Sequence, residues 1–293
     1  MISFLDPNPF QIAKKNKKPL ILDGAMGSLL QQKGFKSAGT TWMTDVNEKS
    51  PETIFSIHQE YIRSGADIIT TNTFRTNPVA LRGIKDLSLD DNVKNAVEIA
   101  LKAKNNHNVF VAGSNAPAED CYQKDRNVNQ KELELNHINH IDLLIDNNTD
   151  FILNETQSHF DEIKIICNHC SKNRIPYVLS IYVDSNVRIL SGENIESICD
   201  FVWEHNPLAV GLNCITPEVF NNAIKHLNTE NTWGFYLNCG AGEPFDEDIS
   251  CGVNEYDYSE LVKNNLSKNP SFIGSCCGSS PGHTKLIKKV LDG

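Results

Sequence analysis

The chain of 293 residues is long enough for one α/β barrel or for two smaller domains, so the size of its core is not limiting. Its 27 Lys and Arg residues and 37 Asp and Glu residues give a net charge of -10. Nucleic acid and anionic membrane surfaces repel such a chain, and its dense basic patch is small, consisting of Lys14, Lys15, Lys17 and Lys18. We therefore expect neither nucleic acid nor a membrane as a partner.

The beginning of the chain lacks the basic and then apolar pattern of a secretory signal, because Pro7, Pro9 and the lysines interrupt the apolar runs before Leu20. No segment reaches the roughly 18 uninterrupted apolar residues that span a bilayer. The sequence thus predicts a cytoplasmic protein. In that compartment the nine cysteines are expected to be thiols, core residues or metal ligands rather than a disulfide framework.

Short apolar runs rich in β-branched residues alternate along the chain with longer stretches of helical periodicity. The predicted strands are 19–23, 67–72, 108–113, 150–154, 177–182, 208–213, 233–238 and 271–275. The predicted amphipathic helices are 51–64, 78–104, 130–147, 159–172, 193–204, 217–227, 256–267 and 281–291. Each predicted strand is followed by one helix.

This order predicts parallel strands with right-handed crossovers, and closing such units into a barrel removes both sheet edges. We expect a single-domain (β/α)8 TIM barrel over residues 1–293. A doubly wound open sheet is the alternative, disfavoured because no strand is followed by a glycine-rich phosphate loop and no Pro/Gly/Ser-rich linker divides the chain. The irregular stretch 239–254 is expected to form a loop over the barrel mouth.

The predicted strand ends, where such barrels carry their active sites, are polar and rich in sulfur. Cys214 closes the sixth strand and Cys276 and Cys277 follow the eighth, so all three flank the mouth of the seventh. Adjacent residues of a regular strand point to opposite faces, but Gly274 and Gly278 allow the backbone to leave the strand there. Three thiolates with an open fourth position fit a catalytic zinc ion.

Other interpretations of the cysteines and histidines remain open at this point. The adjacent cysteines could form a vicinal disulfide or be ordinary buried residues. Cys167 and Cys170 form a C-x-x-C pattern but continue an apolar helical stripe, which favours core packing. His137 and His140 share a predicted helix face without a carboxylate motif, and we expect both to be solvated.

Longer motifs surround these strand ends. They are LDGAMGSLLQQKG (22–34), WMTDVNEKSPE (42–52), HQEYIRSGADIITTNTFRTN (58–77), ILNET (152–156), VGLNC (210–214), LNCGAGEPFD (237–246) and GSCCGSSPGHT (274–284). In this order they resemble the homocysteine S-methyltransferase family over nearly the whole chain. The Asn-Cys pair at strand six together with Cys-Cys-Gly at strand eight is the most specific part of the resemblance, because that spacing supplies the zinc site of the family.

The resemblance implies transfer of a methyl group to the thiol of homocysteine, which gives methionine. Cys214, Cys276 and Cys277 are then the expected zinc ligands, and the sulfur of homocysteine is a further ligand. Coordination to zinc favours the thiolate, the form that attacks a methyl group. No catalytic side chain is expected beyond this activated substrate thiolate.

The amino-acid end of homocysteine also needs recognition. Glu155, at the end of the fourth predicted strand, is the candidate for its ammonium group, and Asp23 is a second candidate. The other substrate-binding candidates are Gly24, Ala25 and Met26, whose backbone amides suit the carboxylate, and Thr71 and Asn72, which line the same side. As an alternative, Asp23 and Glu155 cap the helices that follow them.

Two departures from the family pattern bear on the metal. Ser275 stands where a second glycine is common, and Cys239 follows Asn238 where a small alanine or serine is usual. Cys239 or Cys251 could supply a fourth thiolate, which would make the site structural and the protein a non-catalytic zinc sensor or subunit. A zinc hydrolase is a third possibility, disfavoured because His-rich and carboxylate-rich sites suit hydrolysis better.

Asn238 ends the strand between the two cysteine-bearing strands, so its side-chain oxygen, or a water, is expected at the fourth position until the sulfur of homocysteine displaces it. The methyl donor is less defined, because members of the family use sulfonium compounds, betaine or a methylated cobalamin. Since the predicted barrel takes up essentially the whole chain, we expect a free small donor, S-methylmethionine or S-adenosylmethionine. A separate corrinoid protein is the alternative donor partner.

Overall fold

Apolar, β-branched runs form eight strands in the computed structural model, which describes residues 5–37, 39–84, 88–241 and 249–293. They are β1 (Leu20–Ile21), β2 (Ile68–Thr70), β3 (Phe110–Asn115), β4 (Phe151–Gln157), β5 (Tyr177–Ile181), β6 (Ala209–Asn213), β7 (Trp233–Leu237) and β8 (Phe272–Ser275). All neighbours pair in parallel in the order β1-β8-β7-β6-β5-β4-β3-β2. A parallel bridge between Leu22 and Ile68 joins β1 to β2, so the predicted barrel is confirmed and the open sheet is wrong.

Helices surround the barrel. In the described part they are α1 (Pro9–Lys15), α2 (Gly27–Gln32), α3 (Val46–Lys49), α4 (Pro51–Arg63), α5 (Leu89–Lys104), α6 (Gln130–Asp146), α7 (Phe160–Asn173), α8 (Ile195–Trp203), α9 (Pro217–Ala223), α10 (Glu255–Asn265) and α11 (Pro281–Asp292). Phe10 of α1 packs edge-on against Phe151 and Phe272, with ring centroids 5.5 Å apart in both pairs. Because both partner rings lie near the beginnings of their strands, α1 closes the N-terminal end of the barrel and leaves the C-terminal end for a site.

Two predictions of helix number and position are wrong. The helix predicted over 78–104 begins at Leu89, because the Ser88 side chain accepts a hydrogen bond from the Asp91 amide and caps the helix there. Residues 79–83 form turns, and 85–87 lie outside the described residues. The connection from β1 to β2 holds α2, α3 and α4 rather than one helix.

The C-x-x-C pair and the two histidines have the same burial, although only the former was expected in the core. Cys167 and Cys170 lie in the main hydrophobic cluster between the barrel and its helices, which confirms their predicted packing role. His137 and His140 are also fully buried, so the prediction that they are solvated is wrong. The cause is a set of polar partners on neighbouring elements: His137 contacts Glu162 of α7 at 2.7 Å, and His140 contacts Asn115 of β3 at 2.9 Å.

The predicted mouth loop 239–254 is described only at its ends, which meet in an antiparallel bridge between Gly240 and Cys251. Residues 242–248 lie outside the described residues. None of the helices in the described part has both the length and the apolar character needed to cross a membrane.

Candidate metal centre and active site

Three cysteines converge at the mouth of the barrel between β6 and β8. The Cys276 sulfur lies 2.9 Å from that of Cys214, the Cys214 sulfur lies 3.6 Å from that of Cys277, and all three sulfurs lie within 4.8 Å of one another. Cys214 is buried, whereas Cys276 and Cys277 are partly exposed toward the mouth. The structure thus brings together the three residues that the sequence selected.

Local backbone geometry makes this convergence possible. Cys214 has a positive φ of 55°, a costly conformation for a residue with a side chain. After β8 the chain leaves the strand, with Gly278 at φ 81°. A Cβ on Gly278 would lie 2.6 Å from the backbone of Gly240, so only glycine allows the turn to pack there.

The donor set fits a tetrahedral metal ion. Thiolates bound to zinc at about 2.3 Å stand roughly 3.8 Å apart. The spacing of 3.6 Å between Cys214 and Cys277 is close to this value, whereas that of 2.9 Å between Cys214 and Cys276 is shorter. Hydrogen bonds with Cys276 and then Cys277 lower the pKa of the Cys214 thiol, and the same bonds with Cys214 raise the pKa of Cys276 and of Cys277, so the cluster favours a single negative charge on Cys214. All nine cysteines are free thiols, which rules against the vicinal disulfide. The cluster can therefore hold a metal ion.

Neither extra cysteine joins this cluster. The Cys239 thiol is buried and faces the carbonyl oxygen of Leu237 at 3.6 Å. Cys251 is exposed, and its thiol contacts the carbonyl oxygen of Val253. Within the described residues the sulfur group consists of three members, which leaves the fourth tetrahedral position to another ligand.

Two carboxyl groups lie deep at the same end of the barrel. Asp23 accepts hydrogen bonds from the amide and hydroxyl of Thr70, at 2.8 and 3.0 Å, and Glu155 accepts one from the Ser114 hydroxyl. Burial first, and then the charge of Glu155, raises the pKa of Asp23 well above its usual value. Burial likewise raises the pKa of Glu155 to about 7. No ion pair in the described part of the chain involves either group.

The alternative role of these carboxyl groups as helix caps is wrong. The residue that precedes α2 is Met26 and the residue that precedes α7 is His159, and neither helix has a side-chain cap. Asp23 is therefore a buried acid and Glu155 a half-buried one, neither of them in an ion pair among the described residues, and a bound ammonium group would relieve their mutual repulsion.

The glycine-rich turn after β1 packs against the cysteine turn after β8. The Ala25 amide donates to the Ser279 hydroxyl at 3.0 Å, and the Gly278 amide donates to the Ser28 hydroxyl at 2.9 Å. A side chain on Gly24 would come within 2.6 Å of the Ser279 hydroxyl. The turn at 24–26 thus borders the metal cluster, although the Ala25 amide already has a partner.

Two further substrate candidates, Thr71 and Asn72, lie in the wall of the barrel. Thr71 bonds to the Thr73 hydroxyl and to the Ser114 amide, and the Asn72 amide donates to Asn47 and to the Met43 carbonyl. Both side chains are buried in contacts that shape the wall of the barrel.

Asn238 is partly exposed at the mouth, where its side-chain oxygen accepts a hydrogen bond from the Gly240 amide at 2.7 Å. Its predicted place at the fourth metal position stays a prediction.

Sequence reasoning missed three hydroxyl groups at this end of the barrel. The Tyr122 hydroxyl lies 3.1 Å from the Cys214 sulfur. The hydroxyls of Ser180 and Tyr236 are buried, and the Tyr236 hydroxyl interacts with both Ser180 and Glu155. Ser180 and Tyr236 lie on β5 and β7, whose alternation points them inward, but no motif marked them.

Comparison with known proteins places the chain near one group. A family model described as homocysteine S-methyltransferase matches residues 20–291. Homocysteine S-methyltransferase of Escherichia coli (strain K12) is 23% identical, over 96% of this chain and 98% of that protein. Homocysteine S-methyltransferase 2 of Arabidopsis thaliana is 21% identical, over 92% of each chain.

Solved structures share the fold. The metallated form of the homocysteine methyltransferase MmuM from Escherichia coli superposes with a TM-score of 0.79 at 23% identity, covering 96% of this chain and 99% of that one. A methyltransferase from Methanosarcina mazei gives a TM-score of 0.59 at 13% identity, covering 99% and 98%.

Proposed function

Because this chain belongs to the homocysteine S-methyltransferase family and is an enzyme that transfers a methyl group to homocysteine, we propose that it works with a zinc ion held by Cys214, Cys276 and Cys277. The observation that carries this proposal is the group of three sulfurs within 4.8 Å at the barrel mouth. Zinc bound there supplies acidity, lowering the pKa of the substrate thiol so that it reacts as a thiolate at neutral pH.

Two acids and one turn recognise the amino-acid end of homocysteine in this proposal. Glu155 and Asp23 bind the ammonium group, since Asp23 is buried, Glu155 is half-buried, the two are electrostatically coupled, and neither forms an ion pair among the described residues. The turn at Gly24 to Met26 receives the carboxylate, and the buried hydroxyls of Ser180 and Tyr236 offer further polar contacts. Thr71 and Asn72 stabilise the barrel wall beside this site through their hydrogen bonds.

The proposed donor is a sulfonium compound, S-methylmethionine or S-adenosylmethionine. A sulfonium carries an activated methyl group with a neutral thioether as leaving group, so a positioned thiolate suffices without a second cofactor. The Tyr122 and Tyr182 rings, 5.2 Å apart and partly exposed beside Cys214, suit a cationic donor through cation–π attraction. The net charge of -10 also favours a cation over an anion.

Metal analysis and product assays test the proposal. The purified protein should contain about one zinc per chain, as a site with three protein ligands requires. Methionine formed from homocysteine should then be measured with each sulfonium donor and, separately, with methylcobalamin. Activity with methylcobalamin alone would overturn the proposed donor and favour a corrinoid protein as partner. A protein that methylates homocysteine without bound zinc would overturn the metal assignment.

A further inference from the structure

The loop between β3 and α6 extends over the metal cluster and carries Tyr122 to it. The hydroxyl oxygen of Tyr122 lies 3.1 Å from the sulfur of Cys214, which stands 92 residues away in the chain. Nothing in the spacing of the cysteines requires this contact, because the metal ligands come from β6 and β8 alone.

The chemistry of the two groups decides the direction of this hydrogen bond. A free thiol and a phenol can each donate to the other, but a cysteine that binds a metal is a thiolate and can only accept. The Tyr122 hydroxyl is therefore the donor whenever Cys214 is a ligand. Such a bond draws charge from the sulfur and fixes its orientation.

Hydrogen bonds to neighbouring elements fix the loop and so determine the position of Tyr122. The carbonyl of its neighbour Cys121 accepts a hydrogen bond from the Ser158 hydroxyl at 3.0 Å. Earlier in the loop the Ala118 amide donates to Glu162 at 2.8 Å, and later in the loop Arg126 binds the same carboxylate at 2.6 Å. These bonds attach the loop to α7 and to the residue that follows β4, on both sides of Tyr122.

The charge balance of the cluster indicates what the bond does. Three thiolates outweigh the two positive charges of a zinc ion, and the thiolate of homocysteine would add a further negative charge. A donor hydrogen bond to one ligand offsets part of this excess. We propose that Tyr122 is a positioning residue of the metal centre, whose hydroxyl donates to the Cys214 sulfur and so strengthens both metal retention and binding of the substrate thiolate. This inference rests on the proposed zinc site.

The test compares Tyr122→Phe, which removes the hydroxyl and keeps the ring, with Tyr182→Phe as a matched control. Tyr182 packs edge-to-face on Tyr122, with ring centroids 5.2 Å apart. Zinc affinity is measured by competition with a chromophoric chelator, which needs no turnover. Tyr122→Phe should weaken zinc binding about 10-fold to 100-fold, the usual effect of losing a partner of a metal ligand. It should also raise KM for homocysteine and leave KM for the methyl donor unchanged.

Three results would overturn the inference. Equal zinc affinity in Tyr122→Phe and the unsubstituted protein would show that the hydroxyl does not support the ligand. An equal loss in Tyr122→Phe and Tyr182→Phe would assign the effect to a general loss of polar groups from this pair of tyrosines rather than to the hydrogen bond with Cys214. Absence of zinc binding by the unsubstituted protein would overturn the proposed metal itself, and this inference with it, so the two failures are distinguishable.

Discussion

Glu155 lies on β4 and Glu162 lies on α7, the next helix in the chain, yet the two acids have opposite electrostatic environments. Glu162 is buried, which acts to raise its pKa, but contacts with His137, the Ala118 amide and Arg126 outweigh burial and lower the pKa to about 2. Glu155 has the Ser114 hydroxyl but no cation, and its pKa rises to about 7. The charge of Glu162 is balanced by groups of the protein, whereas Glu155 is the acid proposed to bind the substrate ammonium.

The same difference extends to the regions around the two residues. Around Glu162 the buried polar groups form a hydrogen-bonded network. His137 contacts Glu162, His140 contacts both Asn115 and Thr76, and Asn115 also contacts Asn154. At the mouth, sulfurs, carboxyl groups and hydroxyls lie together, and neither Asp23 nor Glu155 forms an ion pair among the described residues. The first region stabilises the fold and holds the Tyr122 loop, whereas in the proposed function the second would be balanced electrostatically by the bound metal and substrate.

Replacing a cluster cysteine should have the largest effect on the mouth. Each of Cys214→Ser, Cys276→Ser and Cys277→Ser should weaken zinc binding by more than about 100-fold, because loss of a direct ligand exceeds loss of a ligand's partner. Methylation of homocysteine should fall with the zinc content, while the circular dichroism spectrum is preserved. Cys251→Ser is the control, because that thiol is exposed and outside the cluster. Full zinc retention in all three variants would refute the site.

Replacing Glu162 should have the largest effect on the fold. Glu162→Ala leaves the buried His137 without its charged partner and the half-buried Arg126 with Asp161 alone, so the free energy of unfolding should drop by about 3–5 kcal/mol. Glu98→Ala, which breaks an exposed pair with Lys94, should change it by less than about 0.5 kcal/mol. Urea denaturation at pH 7 measures both, and similar small changes in the two variants would contradict a stabilising network.

The lowered pKa also sets a pH window for this effect. The carboxylate of Glu162 stabilises the fold above its usual pKa of 4.5, and this contribution is lost as the pH falls toward 2. The difference between Glu162→Ala and the unsubstituted protein should therefore shrink below pH 4.5.

Replacing Glu155 should affect substrate binding more than the fold, and its effect on stability should depend on pH in the opposite direction. Glu155→Gln removes the partner of the substrate ammonium, so KM for homocysteine should rise about 10-fold to 100-fold, the value of a hydrogen bond to a charged group. Because the pKa of Glu155 is raised to about 7, its contribution to stability is present at low pH and is lost as the pH rises through 7. The variant should therefore gain stability relative to the parent from pH 5 to pH 8. An unchanged KM would remove Glu155 from the substrate site.

The sequence predicted the residues at the barrel mouth better than the hydrogen-bonded network around Glu162, because strand order fixes the positions of the former. Strand order alone brings the ends of β6 and β8 to the two sides of β7, so Cys214, Cys276 and Cys277 had to meet once the barrel was assigned. The same logic located Asp23 and Glu155 at the strand ends, although not the absence of cations around them.

The network could not be derived in this way, because helix periodicity does not reveal the partner of a polar side chain. His137 and His140 are buried since Glu162 and Asn115 reach them from separate elements. The contact between Tyr122 and Cys214 depends on the path of an irregular loop, for which the sequence carries no periodic signal.

His58 offers a smaller test, because it is a buried polar group that belongs to neither region. It lies on α4, is fully buried, and neither ring nitrogen has a hydrogen-bond partner in the described part of the chain. Because no ligand is proposed at His58, its buried imidazole should simply cost stability. His58→Leu replaces the imidazole with an apolar side chain of similar size, and at pH 7.5 it should raise the free energy of unfolding by about 1–2 kcal/mol.

The pH dependence of His58→Leu distinguishes this explanation from better packing by leucine. Burial lowers the pKa of His58 from 6.5 to about 4, so the unfolded chain takes up a proton in that interval while the folded protein does not. Histidine therefore permits full stability above pH 6.5 and costs stability as the pH falls toward 4. At pH 5 the advantage of the leucine variant should exceed its advantage at pH 7.5 by about 2 kcal/mol. Urea denaturation at the two pH values measures this difference. A pH-independent advantage would mean that packing alone is responsible, and a loss of stability at both values would show that the imidazole has a partner, such as a buried water, that offsets its desolvation.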